Sequence, residues 1–279
     1  MLFKAPAKIN LFLRVLRKRE DNYHDIASLM QKITIYDELN FSLRPQGIVL
    51  NCSDSDLPNT QDNLVFRAAQ AIFDYVNYPS GIEITLTKKI PQAAGLGGGS
   101  SDAATTLMAI NEICELNLKK IQLMKIGAKL GADIPFFIFG NTALACGIGD
   151  KLTDWPNLSK LNIVLINPSF PLSTKMVYEN LNLRLTRKKI NYSIPPVFTL
   201  RNIIAELHND LESVSIKMHP GLQNLKQLLL DHGALGALMS GSGPTLFGIF
   251  NDENSAKKAL DSIKQEVPGH YAVFFAQSL

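Results

Sequence analysis

Cysteine is scarce in this 279-residue chain. There are three, Cys52, Cys114 and Cys146, with no C-x-x-C pair and no metal-binding spacing. An odd, scattered set excludes a disulfide framework and reads as small buried apolar side chains in a reduced, cytoplasmic setting. Long apolar runs are missing too, and none reaches the roughly 18 residues that a membrane-spanning helix needs. The opening MLFKAPAKINLFLRV is interrupted by Lys8, Asn10 and Arg14, so no signal peptide is expected. An excess of one charge is also absent. The net charge is +3, with 15 Lys/Arg against 15 Asp/Glu in residues 1–150 and 13 against 10 in the rest. A sequence-independent nucleic-acid binder would carry a denser basic stripe, so no nucleic-acid or membrane partner is expected. A small phosphorylated ligand needs only a few local cations. Eighteen glycines and 14 prolines exclude collagen-like or low-complexity chains, and no solenoid repeat is present.

What is present is core. Hydrophobic residues are 46% and charged residues 19%, and a chain of this size buries about 73% of its unfolded surface. Length predicts two domains. The stretch Thr153–Lys160 is the candidate boundary, giving 1–157 and 158–279. Alternation predicts strands over 3–15, 27–37 and 41–51, with a turn at Glu38–Asn40 between the last two. Helical spacing predicts a helix at 63–75, a strand at 81–87, and helices at 101–117 and 119–130. Strands then follow at 142–147 and 162–166, and helices at 173–181, 198–209 and 221–232. The chain closes with strands 236–239 and 245–250, a helix at 255–266 and a strand at 271–276. Clustered strands with interleaved helices indicate an α+β fold.

The loop PQAAGLGGGSS, 91–101, lies between a predicted strand and a predicted helix. Without Cβ atoms, consecutive N–H groups can converge on a ligand, and the helix start adds free N–H groups and partial positive charge. This is a phosphate cradle. It is neither the Walker loop nor the dinucleotide fingerprint, since Ser100 stands where the third glycine would be. Three other polar islands sit in apolar settings. Lys8 and Asn10 share one face of an apolar strand, where an inward Lys is costly unless paired. Asp133 lies in GADIPFFIFG as either a helix cap or a site residue. Gly241-Ser242-Gly243 is either a second anion nest or a tight turn. The basic run at 184–196 reads as a solvated loop.

At these residues the chain resembles the GHMP kinase superfamily. The central motif stands as PQAAGLGGGSS and the third as Gly241-Ser242-Gly243. APAKINLFL at 5–13, NYH at 22–24, GLGGGSSDAA at 95–104, GADIPFF at 131–137 and SGSGPTLF at 240–247 point to its branch that acts on a cytidine diphosphate-linked sugar alcohol. The resemblance implies an N-terminal ATP-binding domain like the second domain of ribosomal protein S5, a C-terminal ferredoxin-like substrate-side domain, and a site in the cleft between. It implies ATP-dependent phosphorylation of the 2-hydroxyl of 4-diphosphocytidyl-2-C-methyl-D-erythritol in non-mevalonate isoprenoid synthesis, by a monomer or weak dimer. ATP, with Mg²⁺ bound to it rather than to dedicated protein ligands, would lie on Pro91 and on Gly95, Leu96, Gly97, Gly98, Gly99, Ser100 and Ser101, with Asn63 and Lys88 near the adenine. Asp133 would be the base or orient the hydroxyl, with Lys8 beside it. Asn10, Tyr23, His24, Tyr178, Gly241, Ser242 and Gly243 would hold the acceptor. Family members have Gly where this chain has Asn22, and Asn tolerates positive φ better than most residues. Another small-molecule kinase of the superfamily, acting on homoserine or mevalonate, or a silent nucleotide-binding regulator, remains open.

Overall fold

The computed structural model describes residues 1–53, 57–155, 158–182 and 199–279; the basic 184–196 run lies outside them. The chain forms two compact units that interleave along the sequence, one of residues 1–7, 35–90 and 97–140, the other of 8–34, 91–96 and 141–279. Strands β1 (Leu2–Lys18) and β2 (His24–Arg44) contribute residues to both.

In the first unit, β3 (Ile48–Ser53) runs parallel to β4 (Gly81–Thr87), and β4 pairs antiparallel with the second half of β2, from Glu38↔Thr87 to Arg44↔Gly81. The expected turn at Glu38–Asn40 is therefore a correction. β2 passes straight through it, with Leu39 and Phe41 buried on the inward side, and the chain reverses at Pro45–Gly47 instead. The polar run Asp37-Glu38 imitates a turn because Asp37, fully buried, is satisfied by an ion pair rather than by water. The helices of this unit are α1 (Leu64–Val76), α2 (Gly98–Ile113), α3 (Lys120–Ala128) and α4 (Ile134–Phe139). Asn63 caps α1, its side chain accepting from the Val65 N–H at 2.9 Å. Ala103 and Ala104 are fully buried, and these small residues let α2 pack closely on α1. α2 starts at Gly98, three residues before the predicted Ser101, because the glycines themselves enter the first turn. α4, unforeseen in the aromatic run, has Pro at its start, where the missing N–H costs nothing.

In the second unit, β5 (Thr142–Gly147) pairs with the first half of β2 and with β6 (Lys151–Asp154), and β8 (His208–Asn209) runs parallel to β1 at Phe12↔His208 and Leu13↔Asn209. A second sheet has the order β11 (Ala272–Gln277), β7 (Asn162–Asn167), β10 (Leu246–Phe250), β9 (Gly236–Met239), antiparallel throughout. Helices α8 (Gly221–Asp231) and α9 (Glu253–Glu266) pack on it; α5 (Thr174–Glu179), α6 (Leu200–Glu206) and α7 (Glu212–Met218) complete the unit. α9 is amphipathic by spacing. Ala256, Ala259 and Ile263 are buried, and Asp252 caps its start by accepting the Ser255 N–H at 2.8 Å. A core of Val164, Ile166, Leu222, Leu229, Leu246 and Phe250 joins sheet to helices, at about 1.5–3 kcal/mol per large side chain. The helix expected over 198–209 is corrected at its end: α6 stops at Glu206 and His208–Asn209 form β8, while β6 overlaps the stretch expected as the domain boundary. Among the described residues no helix is long and apolar enough to cross a membrane.

Candidate active site

β1 carries Lys8 and Asn10 two residues apart, hence on one face. Both are buried, Lys8 at 4% exposure. The Lys8 ammonium donates to Asn10 Oδ1 at 2.6 Å, Asn10 Nδ2 donates to Ser28 Oγ at 2.7 Å, and Ser28 donates to the Phe12 carbonyl at 2.7 Å. Each donor has its acceptor, which fixes the orientation of the Asn10 amide. The Lys8 N–H also donates to the carbonyl of Leu96 at 2.9 Å, so the first half of the glycine-rich loop is stitched to the strand that bears the lysine. The next residue back, Gly95, has φ +76°, and a Cβ there would lie 2.1 Å from the Ser240 carbonyl oxygen; only glycine fits. Ser240 Oγ donates to the Gly95 carbonyl at 2.9 Å. At Gly241, φ +57°, a Cβ would be 3.4 Å from both Lys8 Nζ and Asn10 Oδ1. Ser242 shares a 2.8 Å hydroxyl contact with Thr174. Three segments far apart in sequence, 8–10, 95–96 and 240–242, thus meet in one place.

The other half of the loop, Gly97–Ser101, belongs to the first unit. Gly97 takes the left-handed conformation at the start of α2, with φ +70°. Ser101 N–H already bonds the Gly97 carbonyl at 2.9 Å, so the donors of Gly98, Gly99 and Ser100 are those that a helix leaves unpaired at its start. A Cβ on Gly99 would meet only Leu64, at 3.7 Å, so this surface is open. Ser101 Oγ is buried and has no hydrogen-bond partner among the described residues. A row of free donors with an orphaned hydroxyl suits the phosphates of a nucleotide. Beneath it, Lys88 pairs with Asp37 and, at 2.7 Å, with Asp102. Asp37 also accepts the N–H groups of Lys89 and Ile90 at 2.5 and 2.8 Å. Pro91 follows directly, at the loop's entry. Asp133 stands at the N-cap position of α4, half-buried, yet its side chain makes no cap bond.

On the second unit, the rings of His24 and Tyr178 stack with centroids 5.0 Å apart and planes at 29°. Burial first, and then Lys18, hold His24 below its ordinary pKa. Tyr23, next to His24 in sequence, is 59% exposed. Asn22 carries the positive φ, +66°, that its neighbours' turn requires.

The chain matches the family described as "GHMP kinases N terminal domain" over residues 63–141 and "GHMP kinases C terminal" over 198–269. The chain belongs to the GHMP kinases. A 4-diphosphocytidyl-2-C-methyl-D-erythritol kinase of Syntrophus aciditrophicus (strain SB) is 55% identical over 275 residues, covering 99% of this chain and 98% of that one. A solved 4-(cytidine 5'-diphospho)-2C-methyl-D-erythritol kinase superposes with a TM-score of 0.84 at 30% identity, covering 100% and 99% of the two chains. A homoserine kinase from Cytophaga hutchinsonii matches with a TM-score of 0.76 at 20% identity, over 100% of this chain and 93% of its own, a likeness of fold alone. The two-domain α+β architecture is that of the GHMP kinases.

Several polar residues bonded to these motifs went unforeseen: Asp37 and Asp102 in the first unit, and Ser28, Thr174 and Asn209 in the second. Ser28, an inward hydroxyl in an apolar strand, left a signal in the alternation; the others take their meaning from partners distant in sequence. Asp102 has a measurable consequence. Burial, opposed by Lys88 and reinforced by Asp37, pushes its carboxyl from 3.8 up to about 7. The folded chain keeps this proton up to about pH 7, whereas the unfolded chain loses it near 3.8. Across that window the native state holds the extra proton, so this group makes stability fall as pH rises. Asp102→Asn, which leaves Lys88 paired with Asp37, should flatten the decline of Tm between about pH 4 and 7. Parallel Tm-against-pH curves for variant and wild type would exclude a titrating Asp102.

Proposed function

We propose that this GHMP kinase transfers the γ-phosphoryl group of ATP to the 2-hydroxyl of 4-diphosphocytidyl-2-C-methyl-D-erythritol, in non-mevalonate isoprenoid precursor synthesis. The observation that carries the reading is the meeting of Lys8 and Asn10 with Gly95 and Gly241, which surrounds a buried ammonium with both glycine motifs. ATP supplies the phosphoryl group, and Mg²⁺ carried with it rather than held by dedicated protein ligands would supply charge neutralisation at the phosphates. The free donors of Gly98, Gly99 and Ser100, with Ser101, hold the phosphates; Asn63 would lie toward the adenine, whereas Lys88, buried in its pairs with Asp37 and Asp102 against Gly98, would support the loop from beneath. Phosphoryl transfer has a loose transition state, so positioning and charge stabilisation do most of the work. The acceptor oxygen bonds to phosphorus as the bond from phosphorus to the bridging oxygen breaks; ADP leaves, and Asp133 aligns the hydroxyl or takes its proton. Lys8 stabilises the developing charge, Asn10 and residues 241–243 hold the acceptor, and Tyr23, His24 and Tyr178 clamp the cytosine. In this reading residues 1–157 carry the nucleotide and also lend Asn10, Tyr23 and His24 to the acceptor, while 158–279 supply Tyr178 and residues 241–243.

The His24–Tyr178 stack favours a nucleobase-bearing acceptor over homoserine or mevalonate, which have no ring to clamp. A coupled kinase assay offering all three acceptors tests this, and turnover is expected with the cytidine compound alone. Preference for either small acceptor would overturn it. Tyr23→Ala, an exposed change with little cost to folding, should raise the acceptor KM about tenfold, within the worth of one base–aromatic stack, and leave the ATP KM unmoved. Equal effects on both KM values would remove Tyr23 from the clamp.

A further inference from the structure

β8 is two residues long, and its register on β1 sets Asn209 opposite Leu13. Asn209 is 6% exposed. Its Nδ2 donates to the Met239 carbonyl at 2.8 Å and to the Gly241 carbonyl at 2.7 Å, and its Oδ1 accepts the Leu211 N–H at 2.9 Å. The two carbonyls bracket Ser240, the residue whose hydroxyl reaches Gly95. The neighbours of Asn209 anchor it on both sides. Asp210 accepts the Val15 N–H of β1 at 2.7 Å, and Glu212, paired with Lys226, accepts the Met239 N–H at 2.8 Å. A single amide nitrogen therefore spans the turn that leads into the second glycine motif, while the same segment grips the strand bearing Lys8 and Asn10. Serine offers one donor, ionised aspartate none, and glutamine reaches a methylene too far.

We infer that Asn209 is a positioning residue for phosphoryl transfer, holding the 240–243 turn in register with Lys8 and Asn10. The inference rests on the proposed roles of Lys8 and of residues 241–243. Gly241 sits so close to Lys8 Nζ and Asn10 Oδ1 that even a Cβ would touch both, so a small shift of the turn alters the space in which the acceptor hydroxyl must lie. Displacements of about 1 Å can cost about 10²-fold in rate.

The test compares Asn209→Ala and the isosteric Asn209→Asp with Asp210→Asn, which weakens the adjoining bond to the Val15 N–H without touching the turn. Both Asn209 variants should lose about 10²-fold in kcat with the cytidine acceptor while the ATP KM stays within about twofold. Asp210→Asn should lower Tm with kcat near wild type. Amide exchange is the second readout. The Gly243 N–H, bonded to the Ser240 carbonyl at 2.9 Å, should exchange faster in Asn209→Ala while amides of β7 stay protected. Unchanged Gly243 exchange overturns the inference, as does a kinetic loss in Asn209→Ala no larger than in Asp210→Asn. Exchange is read without turnover, so a wild-type chain inactive on the cytidine acceptor would refute the functional reading and still leave this inference to be judged.

Discussion

Asp133→Asn should lower turnover by about 10²–10⁴-fold, the range that general-base assistance supplies, while ATP binding stays close to wild type. The structure separates this from a folding effect. A residue at a helix N-cap normally contributes about 1 kcal/mol by accepting a backbone N–H, but the Asp133 side chain makes no such bond. Replacing it by an amide of equal size therefore breaks no cap. The remaining cost is a negative charge lost near the start of a helix, about 0.3–1 kcal/mol, too little to unfold a domain. If Asp133 receives the acceptor's proton, the amide fails because it is not a base; if Asp133 aligns the hydroxyl, the amide Oδ1 still accepts but without the negative charge that strengthens the bond. Single-turnover rates together with calorimetric ATP binding check this. Near-normal turnover in the variant would take Asp133 out of the mechanism.

The contrast between Asp133 and Asp37 shows what a sequence discloses. Strict alternation made β4 legible to the residue, because Ile82, Ile84 and Leu86 must face one way in any fold that buries them. The glycine-rich loop was equally plain, since several glycines before a helix have few other uses. Asp37 misled, because a carboxylate in a strand resembles a turn until its partners are known, and Lys88 and Asp102 come 51 and 65 positions later. α4 hid for a different reason. Its six residues are apolar on every side, so no periodicity marks it. Lys8, Asn10, Gly95 and Gly241 were each legible as unusual residues, but their meeting depends on a parallel two-residue strand and a turn held by Asn209, and neither has a local signature. Chemistry-bearing residues stand out one at a time, and the bonds that assemble them do not.

Lys8→Met should cost about 10²–10³-fold in kcat, the scale of removing one preorganised stabiliser of transition-state charge. Methionine keeps most of the unbranched stem, so the packing of β1 survives. Two opposing terms then act on stability. Loss of the ammonium removes the desolvation cost of a charge held at 4% exposure. Asn10 Oδ1 loses its 2.6 Å donor, which costs about 1–3 kcal/mol if nothing replaces it. These oppose each other, so the change in Tm should be small beside the collapse of kcat, a pattern that a purely structural lysine would reverse. Lys8→Arg should not rescue, because the planar guanidinium cannot place a compact charge against Asn10 in the space left by Gly241. Turnover within about threefold of wild type in Lys8→Met would exclude Lys8 from charge stabilisation. The double variant with Asp133→Asn separates two ways of working. If the ammonium and the carboxylate act on one hydroxyl, the second substitution should cost far less than it does alone, because residues that act as a unit are strongly non-additive. Full additivity of the two losses would mean that they serve separate steps.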